Sequence, residues 1–213
     1  MGADASGKGA HVTRSSCVAL ALCVSACGAK IKAPIDAEYP GTTPAPETLK
    51  PDFMVEQHVE ATRGDKKGAF DAVLQKQGDE LVVVGLGPMK TRAFVLRQKG
   101  LRVTYEQRFG PPLPFPPRNI VVDVHRVFFK RLPHVANADG TFDGTLDDER
   151  VFEVWRDGML RERRFFRTDQ RGAVKIEFGE GCRVEKCEPD HVRITNEWFG
   201  YTLDITNSIY QPL

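Results

Sequence analysis

Cys27 has the most specific chemistry in this sequence, because it follows the small residues of 24–26 at the end of an apolar run. In a lipoprotein signal (a lipobox), the sulfur of such a cysteine receives diacylglycerol and the preceding peptide is removed. The run over 17–26 has about ten residues, whereas a membrane-spanning helix needs roughly 20. We therefore expect a lipoprotein signal peptide over residues 1–26, with an ordinary cleaved signal as the alternative. Ala29 favours an outer-membrane lipoprotein that faces the periplasm.

Cys182 and Cys187 are the other cysteines of the mature chain, since Cys17 and Cys23 belong to the expected signal peptide. The periplasm is oxidising, so we expect a disulfide that pins a loop between two strands. The loop is short, and its closure would contribute about 2 kcal/mol. A redox pair is the less favoured alternative, because the spacing is not Cys-x-x-Cys.

Catalytic patterns are scarce in the rest of the chain. Ser208 is the one serine after Cys27, and no nucleophile-elbow motif surrounds it. The histidines lack metal-ligand spacing. The acidic loop 137–149 resembles a calcium loop in part, but Arg150 stands where the essential glutamate would be. We expect no enzyme, cofactor or metal; an enzyme acting on an acyl chain with a pocket at His125 stays as an alternative.

Charge gives no reason to expect nucleic acid as a partner, because 30 Lys+Arg nearly balance 29 Asp+Glu. Four arginines, at 161, 163, 164 and 167, lie beside Phe165 and Phe166. In a strand the two faces separate, so we interpret the arginines as a solvated face. Contact with lipid headgroups is the alternative.

The chain divides into a tether and one domain. Residues 27–51 are rich in proline and lack apolar periodicity, which indicates an extended spacer. At about 3.1 Å per residue it could extend up to roughly 70 Å. Residues 52–213 are long enough for one domain with a hydrophobic core.

The domain has mainly the period-2 pattern of strands. Apolar residues alternate over 53–61, and 81–86 is apolar throughout, as in a strand covered on both faces. Residues 118–131 have helical periodicity with Asn119 as the expected N-cap, and 133–149 is expected to be a loop. About ten strands, five on each side of the helix, predict a mainly β (α+β) fold: a strongly curved antiparallel sheet, or unclosed β-barrel, whose concave side the helix covers.

Several stretches resemble a known family. They are 70–105, the helix after a proline-rich turn, VKIEFGEG at 174–181 and ITNEWFGYTLDIT at 194–206. Together they are similar to Domain of Unknown Function 3261, a family of bacterial envelope lipoproteins. Its layout is similar to that of the LolA/LolB carriers, which implies an unclosed barrel with helices around a cavity for acyl chains. The single clear helix departs from that layout. In LolB-like proteins an Asn-Pro-Leu-Gly segment has an apolar tip, and this implies a membrane or cargo contact for Met89; an ordinary turn is the alternative.

We therefore expect a lipid-anchored, non-enzymatic envelope protein that binds an amphiphile or acylated cargo in a concave apolar site. The cargo would be a lipid, a lipoprotein or a polyene lipid destined for the outer membrane, and an envelope transport complex is a further expected partner. A structural lipoprotein that docks onto a larger complex without a ligand is the alternative. The candidate cavity residues are Phe94, Leu96, Tyr105, Val124, Phe128, Phe152, Val154, Ile176 and Leu203.

Overall fold

The computed structural model describes Tyr39 and residues 41–110, 113, 116–133, 139–167, 171–184 and 186–213. The expected signal peptide and Cys27 lie outside these described residues. Among the helices that the structure describes, none has the length and apolar character needed to cross a membrane.

In the part of the chain that the structure describes, eleven strands form one antiparallel sheet. They are β1 Phe53–Arg63, β2 Lys66–Gln77, β3 Glu80–Leu86, β4 Arg92–Lys99, β5 Arg102–Gln107, β6 Gly140–Leu146, β7 Glu149–Arg156, β8 Met159–Phe166, β9 Ala173–Phe178, β10 His191–Asn196 and β11 Tyr201–Pro212. The order is β5-β4-β3-β2-β1-β11-β10-β9-β8-β7-β6. Strands that follow one another in sequence are paired, except that β5 and β6 lie at opposite edges; in addition, β1 pairs with β11. The edges are β5 and β6, so the sheet is unclosed, and the predicted fold class is confirmed.

Strand β6 lies within the segment that we expected to be a loop. Its side chains are at most half-buried, and among the described strands its one partner is β7. An edge strand of this kind needs no apolar alternation, so its glycines, threonines and aspartate hide it from pattern analysis. The two-residue turn to β7 uses Asp147 with φ 56°.

The helix predicted over 118–131 is present, but it starts one residue earlier, ends two residues earlier and has a different N-cap. Helix α1 spans Pro117–Val124 and continues as a π-helical turn over His125–Phe129; together, residues 117–129 are called the covering helix below. Pro116 takes the N-cap position and Pro117 follows it, since the fixed φ of proline suits the first turn. Asn119, expected as the cap, is instead fully buried inside the helix.

The core lies between the covering helix and the concave face of the sheet. In β3, Leu81 and Val83 are buried, whereas Val82 and Val84 are half-buried on the other face. The expectation that 81–86 is covered on both faces is therefore wrong. The buried residues of the sheet lie on one face, and the covering helix packs across it.

Tyr39 and residues 41–51, called the strap below, belong to the folded domain rather than to a free spacer. Tyr39 and Leu49 are buried, and a short 3-10 turn spans Pro46–Thr48. The Arg118 guanidinium donates to the carbonyl oxygens of Tyr39 and Gly41 at 2.7 and 2.9 Å. The strap therefore lies against the covering helix.

Candidate functional site

An apolar cavity of about 50 Å³ lies between the covering helix and the sheet. Six strands contribute to it: β1 to β4, β10 and β11. Among the described residues that line it, two have polar side chains, Gln57 and Asp123. The other lining residues are Val59, Phe70, Ala72, Val83, Phe94, Ile120, Val124, Val127, Phe128, Val192, Ile194, Leu203 and Ile205.

Four of the nine expected cavity residues line this space: Phe94, Val124, Phe128 and Leu203. Three others lie within or against the core but outside the lining. Leu96 and Ile176 are buried in the core, and Tyr105 packs on Phe94 with ring centroids 5.8 Å apart. They support the cavity wall without facing the cavity.

Phe152 and Val154 lie on the opposite, convex face of β7. The inward positions of this strand are Val151, Glu153 and Trp155. Because Glu153 points inward, the apolar residues on either side of it point outward. Our assignment of Phe152 and Val154 to the concave face is therefore incorrect. Phe152 instead packs edge-on against the Phe166 ring, with centroids 5.5 Å apart.

Glu153 is tolerated in the core because three donors surround it. It accepts hydrogen bonds from Arg163 Nε at 2.7 Å, Trp155 Nε1 at 3.1 Å and the Leu132 backbone at 3.3 Å. Arg163 also donates to the Arg126 carbonyl oxygen at 2.6 Å. One arginine of the expected solvated face is therefore a buried link between β8 and the covering helix.

The remaining arginines of that group have acidic partners within the chain. Arg161 pairs with Glu180 at 2.8 Å, and Arg167 pairs with Asp148 at 3.0 Å. Arg164 pairs with a glutamate of its own strand. These contacts favour the interpretation as a solvated face over a headgroup site.

A buried polar cluster lies where the strap meets the covering helix. Asp123 accepts hydrogen bonds from the hydroxyls of Tyr39 at 2.6 Å and Tyr201 at 2.5 Å. Asn196 Nδ2 and Arg126 Nη1 donate to the Tyr39 hydroxyl oxygen at 2.6 and 2.9 Å. Burial raises the pKa of Asp123, and Arg126 and the two tyrosine hydroxyls oppose that rise. The cluster is the polar boundary of the apolar cavity.

Arg126 carries the central positive charge of this region and is fully buried. Its guanidinium donates to Glu149 at 2.6 Å and lies 5.0 Å from the Tyr39 ring centroid, 5.1 Å from that of Phe165 and 5.4 Å from that of Trp198. Sequence reasoning missed it, because an arginine opposite an apolar stripe resembles a solvated helix face. The buried carboxylate and the aromatic rings stabilise the charged guanidinium inside the protein.

His125 does not line the cavity. Its Nε2 is 2.8 Å from Gln98 Oε1, and Gln98 donates in turn to the Pro44 carbonyl oxygen at 2.9 Å. Burial, with a smaller effect of Lys130, lowers the pKa of His125 to about 4. This neutral imidazole links the covering helix, β4 and the strap, and its observed partner is an amide rather than a carboxylate.

Met89 lies at the apex of the β3–β4 connection and is 92% exposed. The connection is a 3-10 turn over Pro88–Lys90, and Met89 has φ 56°. Phe109 is 41% exposed and packs closely over Gly87, where an added Cβ would lie 2.4 Å from the ring. Met89 and Phe109 are called the tip below.

Cys182 and Cys187 are joined by a disulfide in the β9–β10 connection. Arg131, just after the covering helix, donates to the Val184 carbonyl oxygen at 2.5 Å within this loop. No group of three or more His, Cys, Asp or Glu side chains within the described ranges is arranged to hold a metal ion.

Comparisons with solved structures find similar folds at low identity. A LolA superfamily protein from Nitrosomonas europaea is 12% identical, with a TM-score of 0.44 over 79% of this chain and 90% of that chain. A domain described as an outer membrane lipoprotein-sorting protein from Vibrio parahaemolyticus is 10% identical, with a TM-score of 0.48 over 76% and 85%. A DUF1329 family protein from Desulfovibrio piger is 14% identical, with a TM-score of 0.48 over 78% and 87%.

No curated protein matches the chain. A family model described as "Protein of unknown function (DUF3261)" matches residues 54–208, which is most of the chain and includes the covering helix and most of the sheet. The chain therefore belongs to the DUF3261 family, as its resemblance predicted.

Proposed function

We propose that this protein is a non-enzymatic carrier or acceptor that binds the acyl chain of an amphiphile or acylated cargo between its covering helix and sheet. The cavity supports this proposal most directly. Its lining is almost wholly apolar and its polar atoms lie at the boundary, which suits a hydrocarbon chain. Apolar burial would supply the affinity, at about 0.8 kcal/mol per buried methylene.

The cavity of about 50 Å³ is far smaller than the ~300–1,000 Å³ of typical ligand pockets. We therefore interpret the structure as a closed form, and cargo binding requires the covering helix to move away from the sheet. A chain with ten buried methylenes would gain about 8 kcal/mol, from which the cost of opening is subtracted.

We further propose that one end of the sheet faces the membrane. Antiparallel pairing places the β1–β2, β3–β4 and β10–β11 connections at the same end, together with the tip. This end also has several exposed cations suited to anionic headgroups. They are Arg63, Lys66, Lys67, Arg92 and Arg108; Lys90 is exposed at the same end, but its Nζ pairs with Asp71 at 2.7 Å.

The start of the strap supports the same orientation. The Tyr39 hydroxyl lies 3.0 Å from that of Tyr201, the first residue of β11, and therefore at the tip end. If Cys27 is lipidated, the chain from it to Tyr39 can extend roughly 37 Å at about 3.1 Å per residue. The lipid anchor and the tip can then reach one outer-membrane surface together.

Binding of parinaric acid, a polyene fatty acid that fluoresces in apolar sites, tests the proposal in a Cys27→Ala protein. Ala72→Leu places a larger side chain in the cavity, and Val73→Leu on the opposite face is the matched control. We expect at least ten-fold weaker binding for Ala72→Leu and no change for Val73→Leu. Equal binding in all three proteins, or a stoichiometric protein partner without bound lipid, would contradict a carrier.

A further inference from the structure

The strap contacts the covering helix near the start of the helix, near its middle and just beyond its end. Near the helix start, Arg118 holds the Tyr39 and Gly41 carbonyl oxygens. Near the middle, the Tyr39 hydroxyl bonds to Asp123 and Arg126. Just beyond the end, Lys130 Nζ donates to Thr42 Oγ1 at 3.1 Å.

The strap is also fixed to the sheet. Gln98 of β4 donates to the Pro44 carbonyl oxygen, and Asn196 of β10 donates to the Tyr39 hydroxyl. Thr42 also bonds to Asp147 in the β6–β7 turn. These partners lie on β4, on β10 and in the β6–β7 turn. The strap therefore joins the covering helix to both halves of the sheet.

Gly41 is the point of closest approach. Its φ is +106°, and an added Cβ would lie 2.8 Å from Val122 Cγ1 and 3.0 Å from Arg126 Nη2. Glycine is thus required both by the backbone conformation and by the lack of space. A side chain here would lift the strap without removing any buried charge.

We propose that the strap is a latch that keeps the covering helix closed, and that its release admits the cargo chain. The inference rests on the proposed function, because it assigns the helix movement to that cargo. Moving the helix while the strap stays in place would separate Asp123 and Arg126 from the Tyr39 hydroxyl and leave buried polar groups without partners. Helix and strap must therefore move together.

The latch also connects the anchor to the site. The strap is continuous with the segment that leads back to Cys27, and it begins at the tip end of the sheet. A change in the distance between domain and membrane would act on Tyr39 before any other part of the site. The position of the domain relative to its membrane would thereby bias the covering helix toward its open or closed form.

Hydrogen exchange in the full chain carrying Cys27→Ala tests the latch without a ligand. We expect Gly41→Val to raise the exchange rates of amides in 121–129 by ten-fold or more, while those of β2 and β3 stay unchanged. Gly64→Ala is the matched control, because Gly64 also has positive φ but nothing within 4 Å of an added Cβ. Unchanged helix exchange in Gly41→Val, or an equal rise in every strand, would overturn the latch.

Parinaric acid binding separates this inference from the proposed function. Release of the latch increases the population of the open form that can bind a ligand. We therefore expect Gly41→Val to bind parinaric acid at least three-fold more tightly than its parent. Faster helix exchange with no binding by either protein would refute the carrier while leaving the latch in place. Faster exchange with equal binding by both proteins would refute the link between latch and cargo.

A cross-link tests the same inference without loosening the domain. Thr42→Cys combined with Asp147→Cys ties the strap to the β6–β7 turn, where the native side chains already bond. We expect the oxidised form to take up parinaric acid at least ten-fold more slowly than the reduced form. The parent protein with and without reductant is the control, and mass spectrometry verifies the new bond. Equal uptake by both forms of the double variant would overturn the latch.

Discussion

Because His125 is buried, we predict that acid begins to destabilise the domain at pH values well above those at which carboxylates usually titrate. The ordinary pKa of histidine is about 6.5, and burial lowers that of His125 to about 4. The unfolded chain therefore takes up this proton more readily than the folded one. The contribution to stability is fully present above about pH 6.5 and is lost as the pH falls toward 4. At about 1.4 kcal/mol per pH unit, the loss amounts to about 3 kcal/mol.

Urea unfolding at several pH values between 7 and 4 measures this contribution. His125→Gln keeps a polar group near Gln98 but cannot take up the proton, so its free energy of unfolding should fall by about 3 kcal/mol less than that of the parent over this range. His191→Gln, which replaces a half-buried histidine of β10 on the opposite face from the core, is the matched control. Parallel pH profiles for the parent and His125→Gln would refute the assignment of acid sensitivity to this buried imidazole.

Three further outcomes follow from named contacts. Arg126→Met removes the closer cation from the buried carboxylate of Glu149 and leaves it only Lys130 Nζ at 3.6 Å, so we expect a loss of about 3 kcal/mol in chemical denaturation; a loss below 1 kcal/mol would contradict the importance of the buried Arg126–Glu149 pair. Gly85→Ala places a Cβ 2.0 Å from the Phe94 ring at the cavity wall, so unfolding should become about 1–3 kcal/mol easier, and an unchanged melting temperature would argue against this close approach. Cys182→Ser should cost about 2 kcal/mol under oxidising conditions and nothing under reducing ones; an equal cost in both would show that the thiol, not the bond, matters.

The sheet could be predicted because one covered face leaves a period-2 pattern in its strands. Strand β1 has the alternating burial that its sequence predicts, and Asp157-Gly158 forms the predicted two-residue turn between β7 and β8. Strand β6 could not be found in this way, because it is an edge strand with half-exposed small residues. It pairs with β7 through a two-residue Asp147-Asp148 turn, which has no glycine or asparagine to mark it as a hairpin.

The candidate site was predicted in part, for a related reason. Phe94 and Leu203 belong to clear alternating strands, and both line the cavity. Phe152 was assigned to the wrong face, because Glu153 is buried through a partner ten residues away on β8. Hydrophobicity cannot identify a charged residue that the fold neutralises with a distant partner.

The strap shows the same limit of local patterns. Proline and small polar residues over 41–51 are typical of a linker, and no apolar periodicity marks them as packed. They are held by side chains from the covering helix and sheet, chiefly Arg118 and Gln98, which donate to strap carbonyl oxygens. The Arg118 and Gln98 contacts use the backbone of the strap, and the Tyr39 and Thr42 hydroxyls bond to residues far away in the sequence, so the local pattern of the strap carries little information about its packing.

The central claim is that the space between the covering helix and the sheet holds an acyl chain. Mass spectrometry of lipid extracts from the Cys27→Ala protein, purified without detergent, tests it most directly. We expect an acyl-chain molecule in near-equal amount to the protein, and at least ten-fold less of it from the Ala72→Leu variant. Extracts with no such molecule, or with equal amounts from both proteins, would contradict the claim.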